Sequence, residues 1–145
     1  VITNRYHPFA PISVLLPDTN TGFVYMLVSA KEPTVSYIGQ TNDLRVRINE
    51  HNTGWGSRFT RNTYLMPWLP AAFIVGFPGG IPEREEQRNR EFLEHRWQSA
   101  INHFTTPVEV YRQGIQVMND INGIRDWTLT MVRCGDFLSV FHDLE

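Results

Sequence analysis

The chain has 145 residues, 41% of them hydrophobic and 19% charged, with a formal net charge of −2. This is the composition of one ordinary globular domain with enough chain for a core, which excludes a disordered segment and lacks the basic balance usual for a nucleic-acid binder. No apolar run approaches the ~20 residues of a membrane-spanning helix, and the single cysteine, Cys134, excludes an internal disulfide or a multi-cysteine zinc module and points to a reducing, intracellular compartment.

The start, Val1-Ile2-Thr3-Asn4-Arg5, lacks the basic-then-apolar pattern of a signal peptide and has no Met, as an excised domain or a processed product would. Residues 1–22 carry several prolines, end in Pro17-Asp18-Thr19-Asn20-Thr21-Gly22, and read as an irregular arm. The rest, 23–145, reads as a single domain with a helical C-terminal extension. Phe23 to Ser29 is rich in β-formers and reads as a buried strand. Lys31-Glu32-Pro33 is a turn and Val35 to Gly39 a second strand, so the short connection predicts an antiparallel hairpin.

Asn42 or Asp43 can cap the helix that follows. Its apolar positions Leu44 and Ile48 are four apart. So are Arg47 and His51, which therefore share a neighbouring face. Asn52-Thr53-Gly54-Trp55-Gly56-Ser57 breaks the helix into a polar loop, and Ala71 to Val75 reads as a third strand ended by Pro78-Gly79-Gly80. Pro82 suits the first turn of the next helix, and Glu83, Glu85 and Glu86 favour its N-terminus. Leu93, Trp97, Ala100, Ile101 and Phe104 form its apolar stripe, and Pro107 ends it. A further helix spans Tyr111 to Asn122 with Ile115, Met118 and Ile121 inward, and Trp127 to Met131 alternates like a last short strand.

Charge is unevenly placed. Arg45, Arg47, Arg58 and Arg61 stand against Glu50 alone, whereas the segment from Ser99 onward sets three arginines against six acids. Twelve of the 13 basic residues are arginine, the side chain suited to bidentate phosphate contacts, although a compositional habit of the source genome explains the bias equally well.

Hydrolysis of a phosphodiester needs an activated water, charge stabilisation at the phosphoryl oxygens and help for the leaving oxygen. A carboxylate holding Mg²⁺, an arginine clamp, and a tyrosine whose proton is managed by a histidine form a sensible set for that task. Tyr25 in Val24-Tyr25-Met26-Leu27, then Tyr37-Ile38-Gly39-Gln40-Thr41, then Leu44-x-x-Arg47-x-x-x-His51-Asn52, supply most of it in order. Phe73-Ile74-Val75-Gly76-Phe77-Pro78 and Arg90-Glu91-Phe92-Leu93-Glu94-His95-Arg96-Trp97-Gln98 follow, with Thr60 and Pro67-Trp68 between. This ordered set, over residues 23 to 98, resembles the GIY-YIG nuclease superfamily, and its distal part is most similar to the Slx-type structure-selective endonuclease catalytic subunit.

The resemblance implies an α/β fold: a small three-stranded, largely antiparallel sheet flanked by helices. It implies a divalent-metal-dependent endonuclease with a single Mg²⁺ or Mn²⁺, acting on DNA, probing branched or flapped structures, and nuclear if the source is eukaryotic. Tyr25 would activate the water, Tyr37 support it or the scissile phosphate, Arg47 stabilise the transition state, His51 assist Tyr25 and Glu94 hold the metal. Gln40, Thr41, Asn52, Ser57, Arg58 and Thr60 would lie near the nucleic-acid backbone. Phe23 stands where the first motif usually has glycine, and Asn102 or Gln98 is available for the asparagine many members place after the metal glutamate. The Slx-type branch also carries a zinc-bound RING and a scaffold protein partner, and the single cysteine leaves no RING within these residues.

Each residue also has a plainer reading. Tyr25 and Tyr37 taken singly are core or edge aromatics; Arg47 and His51 are a solvated helix face; Glu94 among Glu91, His95 and Arg96 is a surface ion pair; Trp55 either stacks on a base or pins its loop. His95 and His103 read as surface or partner-bonded histidines and Cys134 as an inert packed thiol. As a whole the chain is alternatively a GIY-YIG nuclease of a mobile element, virus or restriction system, a non-catalytic nucleic-acid-binding module, or a protein-interaction domain.

Overall fold

The structure is a computed structural model that describes the backbone of residues 2–3 and, with side chains, residues 22–102 and 105–134. Most of the sequence-predicted arm, together with His103 and Phe104, lies outside the described residues. The elements run β1 (Ile2–Thr3), β2 (Phe23–Ser29), β3 (Ser36–Thr41), α1 (Leu44–Asn52), β4 (Trp68–Val75), α2 (Glu83–Ser99), α3 (Pro107–Arg125) and β5 (Thr130–Arg133).

One mixed sheet of order β1-β5-β4-β2-β3 organises them. The predicted hairpin forms, with Tyr25 opposite Gly39 and Leu27 opposite Tyr37. β4 lies antiparallel on the other side of β2, with a register shift between Met26 and Leu27, and β5 extends the antiparallel part to four strands. Ile2–Thr3 adds a parallel pair to β5. The sheet is therefore wider than the three strands expected. The extra width comes from β5, which begins at Thr130 and not at Trp127, and from the start of the chain.

Every residue of β2 is buried, so both of its faces are covered, and its unbroken apolar run Val24 to Val28 follows from that. α1 packs on β4, α2 on β3 and β2, and α3 on β5 and α2. Asp43 caps α1 by accepting from the Val46 backbone N–H (3.2 Å), leaving Leu44, Ile48 and His51 on the buried side. Asn52, the last residue of α1, is used at both ends of its amide: Trp68 N donates to Oδ1 (2.6 Å) and Nδ2 donates to Trp68 O (2.8 Å). Asn122 repeats this device, joining α3 to Leu129 just before β5 at 2.8 and 3.1 Å.

Pro107 corrects the sequence reading. It starts α3 as the first helical residue, after the Thr106 cap, where its missing N–H and fixed φ do no harm. α2 has already ended at Ser99, so Ala100 and Ile101 lie beyond it and are not part of its stripe. Trp97 joins the two helices: its Nε1 donates to Val110 O (2.8 Å), and its ring fills the space beside Gly114, where a Cβ would come within 2.6 Å of Cε2.

Candidate active site

Four elements bring the predicted residues together: Tyr25 from β2, Tyr37 from β3, Arg47 and His51 from α1, and Glu94 from α2. Tyr25 is buried and faces the bare Cα of Gly39 across the hairpin; a Cβ on Gly39 would come 2.6 Å from Tyr25 Cζ and 3.0 Å from Tyr37 Cε2. The glycine of the second motif is thus a space requirement that lets the two tyrosines share one side of the hairpin. Their rings are 6.4 Å apart, and each meets the His51 ring edge-on, at 5.8 Å for Tyr25 and 5.2 Å for Tyr37.

His51 is fully buried and engaged at both nitrogens: Nε2 is 2.8 Å from the Tyr25 hydroxyl and Nδ1 is 2.6 Å from Thr60 Oγ1. Thr60 Oγ1 in turn donates to the Ser57 carbonyl at 3.2 Å. When that proton is on the Ser57 carbonyl, Oγ1 accepts from His51 Nδ1–H. Nε2 is then the lone-pair nitrogen and accepts from Tyr25 O–H. Burial, with the nearby Arg47 charge, lowers the His51 pKa to about 4, so the ring is neutral near pH 7 and keeps one nitrogen lone pair free, while the same surroundings make it a weak base. Burial raises the Tyr25 pKa, and the neighbouring Tyr37 adds to that; a hydrogen bond from Arg47 opposes both.

Glu94 is held in a stripe of three α2 residues spaced four apart. Arg90 Nε donates to Gln40 Oε1 (2.9 Å), and Gln98 Nε2 donates to the Ile38 carbonyl (3.0 Å), so both flanks of Glu94 are fastened to β3. The Glu94 side chain is only 14% exposed, and burial raises its pKa. Its nearest ionic neighbour among the described residues is His95 at 3.9 Å, and Gln98 Nε2 lies 3.5 Å from its Oε2. The ion-pair reading holds only as this one long contact to an exposed histidine, and the carboxylate is otherwise more buried than a surface pair requires. Gln98 reaches it, while Asn102 lies past the end of α2.

Among the described residues no cluster of three or more metal-binding side chains occurs. A lone, poorly solvated carboxylate fits one Mg²⁺-like ion that keeps most of its waters and takes further oxygens from a phosphate substrate.

The six residues expected near a nucleic-acid backbone divide. Gln40, Asn52 and Thr60 each hydrogen-bond within the protein, to Arg90, to the Trp68 backbone and to His51, with Gln40 and Asn52 half-buried and Thr60 buried. Thr41 braces Asp43, accepting from its N–H at 3.0 Å, and Ser57 Oγ accepts from Thr60 N at 3.2 Å. Arg58 alone of the six is exposed.

Three supporting residues escaped the sequence reading. A Cβ on Gly56 would strike His51 Nδ1 and come 2.5 Å from Thr60 Oγ1, so this glycine makes room for the histidine's support. Phe59 stacks on Tyr37 (6.2 Å, 14°), and Arg90 anchors α2. Gly56 looked like a loop breaker, and nothing local distinguishes the two uses.

Comparison with known proteins fits this geometry. A model of the GIY-YIG catalytic domain matches residues 21–103. The structure-specific endonuclease subunit slx1 of Talaromyces stipitatus is 46% identical over 57 residues, covering 37% of this chain and 14% of that protein. Its namesakes in Yarrowia lipolytica and Candida dubliniensis are 36% identical over 61 residues and 30% over 79, covering 40% and 52% of this chain. The matches span only 21% and 27% of those two proteins, so the chain corresponds to a minor part of each relative.

Proposed function

The chain belongs to the GIY-YIG catalytic domain family, and on that premise we propose that it is a divalent-metal-dependent endonuclease that hydrolyses DNA phosphodiester bonds, selecting branched or flapped DNA. The observation that carries the reading is the hydrogen-bonded line Tyr25–His51–Thr60, with Arg47 and Glu94 beside the tyrosine. The names of the relatives, structure-specific endonuclease subunits, support selectivity for DNA structure and a partner subunit.

In this mechanism a water attacks phosphorus in line with the leaving oxygen. Its proton passes to Tyr25 Oη while the Tyr25 proton passes to His51 Nε2, so no free phenolate is needed despite the raised pKa of Tyr25. Arg47 stabilises the charge that grows on the non-bridging oxygens. Tyr37 orients the water or the phosphate. Glu94 is the residue that would hold a divalent cation, which supplies charge neutralisation at the phosphoryl and leaving oxygens when bound.

The test is cleavage of linear, flapped, forked and four-way DNA in Mg²⁺ or Mn²⁺, with binding measured in parallel. Glu94→Gln and Arg47→Ala are expected to abolish cleavage and retain most of the DNA affinity. Metal-dependent cleavage that survives Glu94→Gln removes Glu94 from the metal site, and equal rates on linear and branched DNA remove the structural selectivity.

A further inference from the structure

The segment between α1 and β4 carries an unusual surface. Trp55 is 78% exposed, Tyr64 83% and Phe59 40%. Among the described residues these are three of five large hydrophobic side chains left in water, and all three sit on this one loop. Arg58 and Arg61 are exposed beside them in sequence, and no acidic residue occurs from His51 to Pro82. Trp55 therefore does not pin its loop. The loop is pinned by other groups: Trp68 Nε1 donates to Thr60 O (3.0 Å), Leu65 N to Asn62 O (3.1 Å) and Tyr64 N to Asn62 Oδ1 (3.0 Å). A braced backbone that holds aromatic rings outward is already organised for a ligand, which lowers the entropy lost on binding.

The loop is also continuous with the reaction centre. Phe59 stacks on Tyr37, so one aromatic column runs from the hairpin to the surface. Rings without acids, interspersed with arginines, match a strand whose bases are unpaired: the rings stack on bases and the guanidinium groups meet phosphates. A paired duplex offers the phosphates but hides the base faces.

We propose that the 53–67 loop is a stacking platform for the unpaired nucleotides beside the scissile phosphate, with Trp55 and Tyr64 as its outer rings and Arg58 and Arg61 as its phosphate contacts. The proposal rests on the nuclease reading and names the feature of branched DNA that is recognised, its single-stranded arm.

The test is direct binding with EDTA present, so that it does not depend on cleavage. Affinities of the wild type, Trp55→Ala, Tyr64→Ala, Trp55→Phe and Arg58→Ala are measured for single-stranded, forked and blunt duplex DNA at several salt concentrations, with 2-aminopurine in the unpaired arm. Trp55→Ala is expected to weaken single-stranded and forked binding on the order of tenfold and to relieve 2-aminopurine quenching, with duplex affinity and the salt slope held. Trp55→Phe restores most of the loss. Arg58→Ala lowers the salt slope by about one on all three ligands. Unchanged single-stranded affinity in both Trp55→Ala and Tyr64→Ala, or an equal loss on duplex, overturns the platform and leaves this face to a protein partner. A wild type that stacks as expected but cleaves nothing refutes the nuclease reading alone.

Discussion

A histidine bonded through both ring nitrogens has its tautomer coupled to its neighbours, and with the Thr60 proton on the Ser57 carbonyl the His51 proton sits on Nδ1. Thr60→Val keeps the shape and removes the acceptor. It leaves a buried N–H unmet, at about 1–3 kcal/mol of stability, and frees His51 to turn its N–H toward Tyr25. We expect kcat to fall by at least about tenfold with KM little changed, and Thr60→Ser to recover it. His51 also sets a pH dependence. Its pKa is about 4 in the folded protein against an ordinary 6.5. Between these values the unfolded chain binds more protons, so its share of stability, at most about 3 kcal/mol, is present above pH 6.5 and is lost as pH falls toward 4. Glu94, with its raised pKa, acts in the opposite sense. His51→Gln therefore isolates the histidine: its denaturation midpoints should fall less between pH 6.5 and 4.5 than those of the wild type. Gly39 and Tyr25 are expected to couple. Gly39→Ala should destabilise the wild type severely, by more than about 2 kcal/mol, and cost much less in a Tyr25→Ala background where the space is open. Additive losses in a double-mutant cycle would show that the contact is not what requires glycine.

Among the elements, the hairpin, α1 and its Asp43 cap were legible because each signal is local: alternating β-formers around a turn, and a capping side chain before apolar residues four apart. Arg47 and His51 were picked out through the family resemblance, because their spacing alone reads as a solvated face and His51 is in fact buried. Pro107 misled because proline both ends helices and begins them, and only the Thr106 cap just before it distinguishes the two. The internal uses of Gln40, Asn52 and Thr60 were not legible, because their partners Arg90, Trp68 and His51 lie 50, 16 and 9 residues away. Asn52 and Asn122 give the elements a common joint. Each asparagine near a helix C-terminus takes the place of a backbone partner for the residue entering the next strand. Asn122→Ala removes two such bonds away from the site. We expect thermal denaturation to show a loss of about 1–3 kcal/mol, with DNA binding unchanged at temperatures where the protein is folded.

Across the whole molecule, the proposed catalytic groups are gathered from residues 25 to 94, within the span the family model matches, while α3 and β5 lie beyond it. Those later elements carry no member of the site, yet β5 occupies the side of β4 away from β2, pairing Phe73 with Val132 and Val75 with Thr130. A minimal domain cut at residue 103 would keep every proposed catalytic side chain and lose this cover. The N–H and C=O groups along one side of β4 would be unpaired, Trp97 would lose Val110 and Gly114, and an apolar strand would become a sheet edge, the usual template for intermolecular pairing. Such a fragment should elute as oligomers or precipitate, and light scattering would detect it; a monodisperse fragment with undiminished melting temperature would argue the reverse. The boundary of the chemistry and the boundary of solubility therefore fall at different places in this chain, and a library of shortened enzymes chosen by motif alone would discard working sites for want of a neighbouring strand.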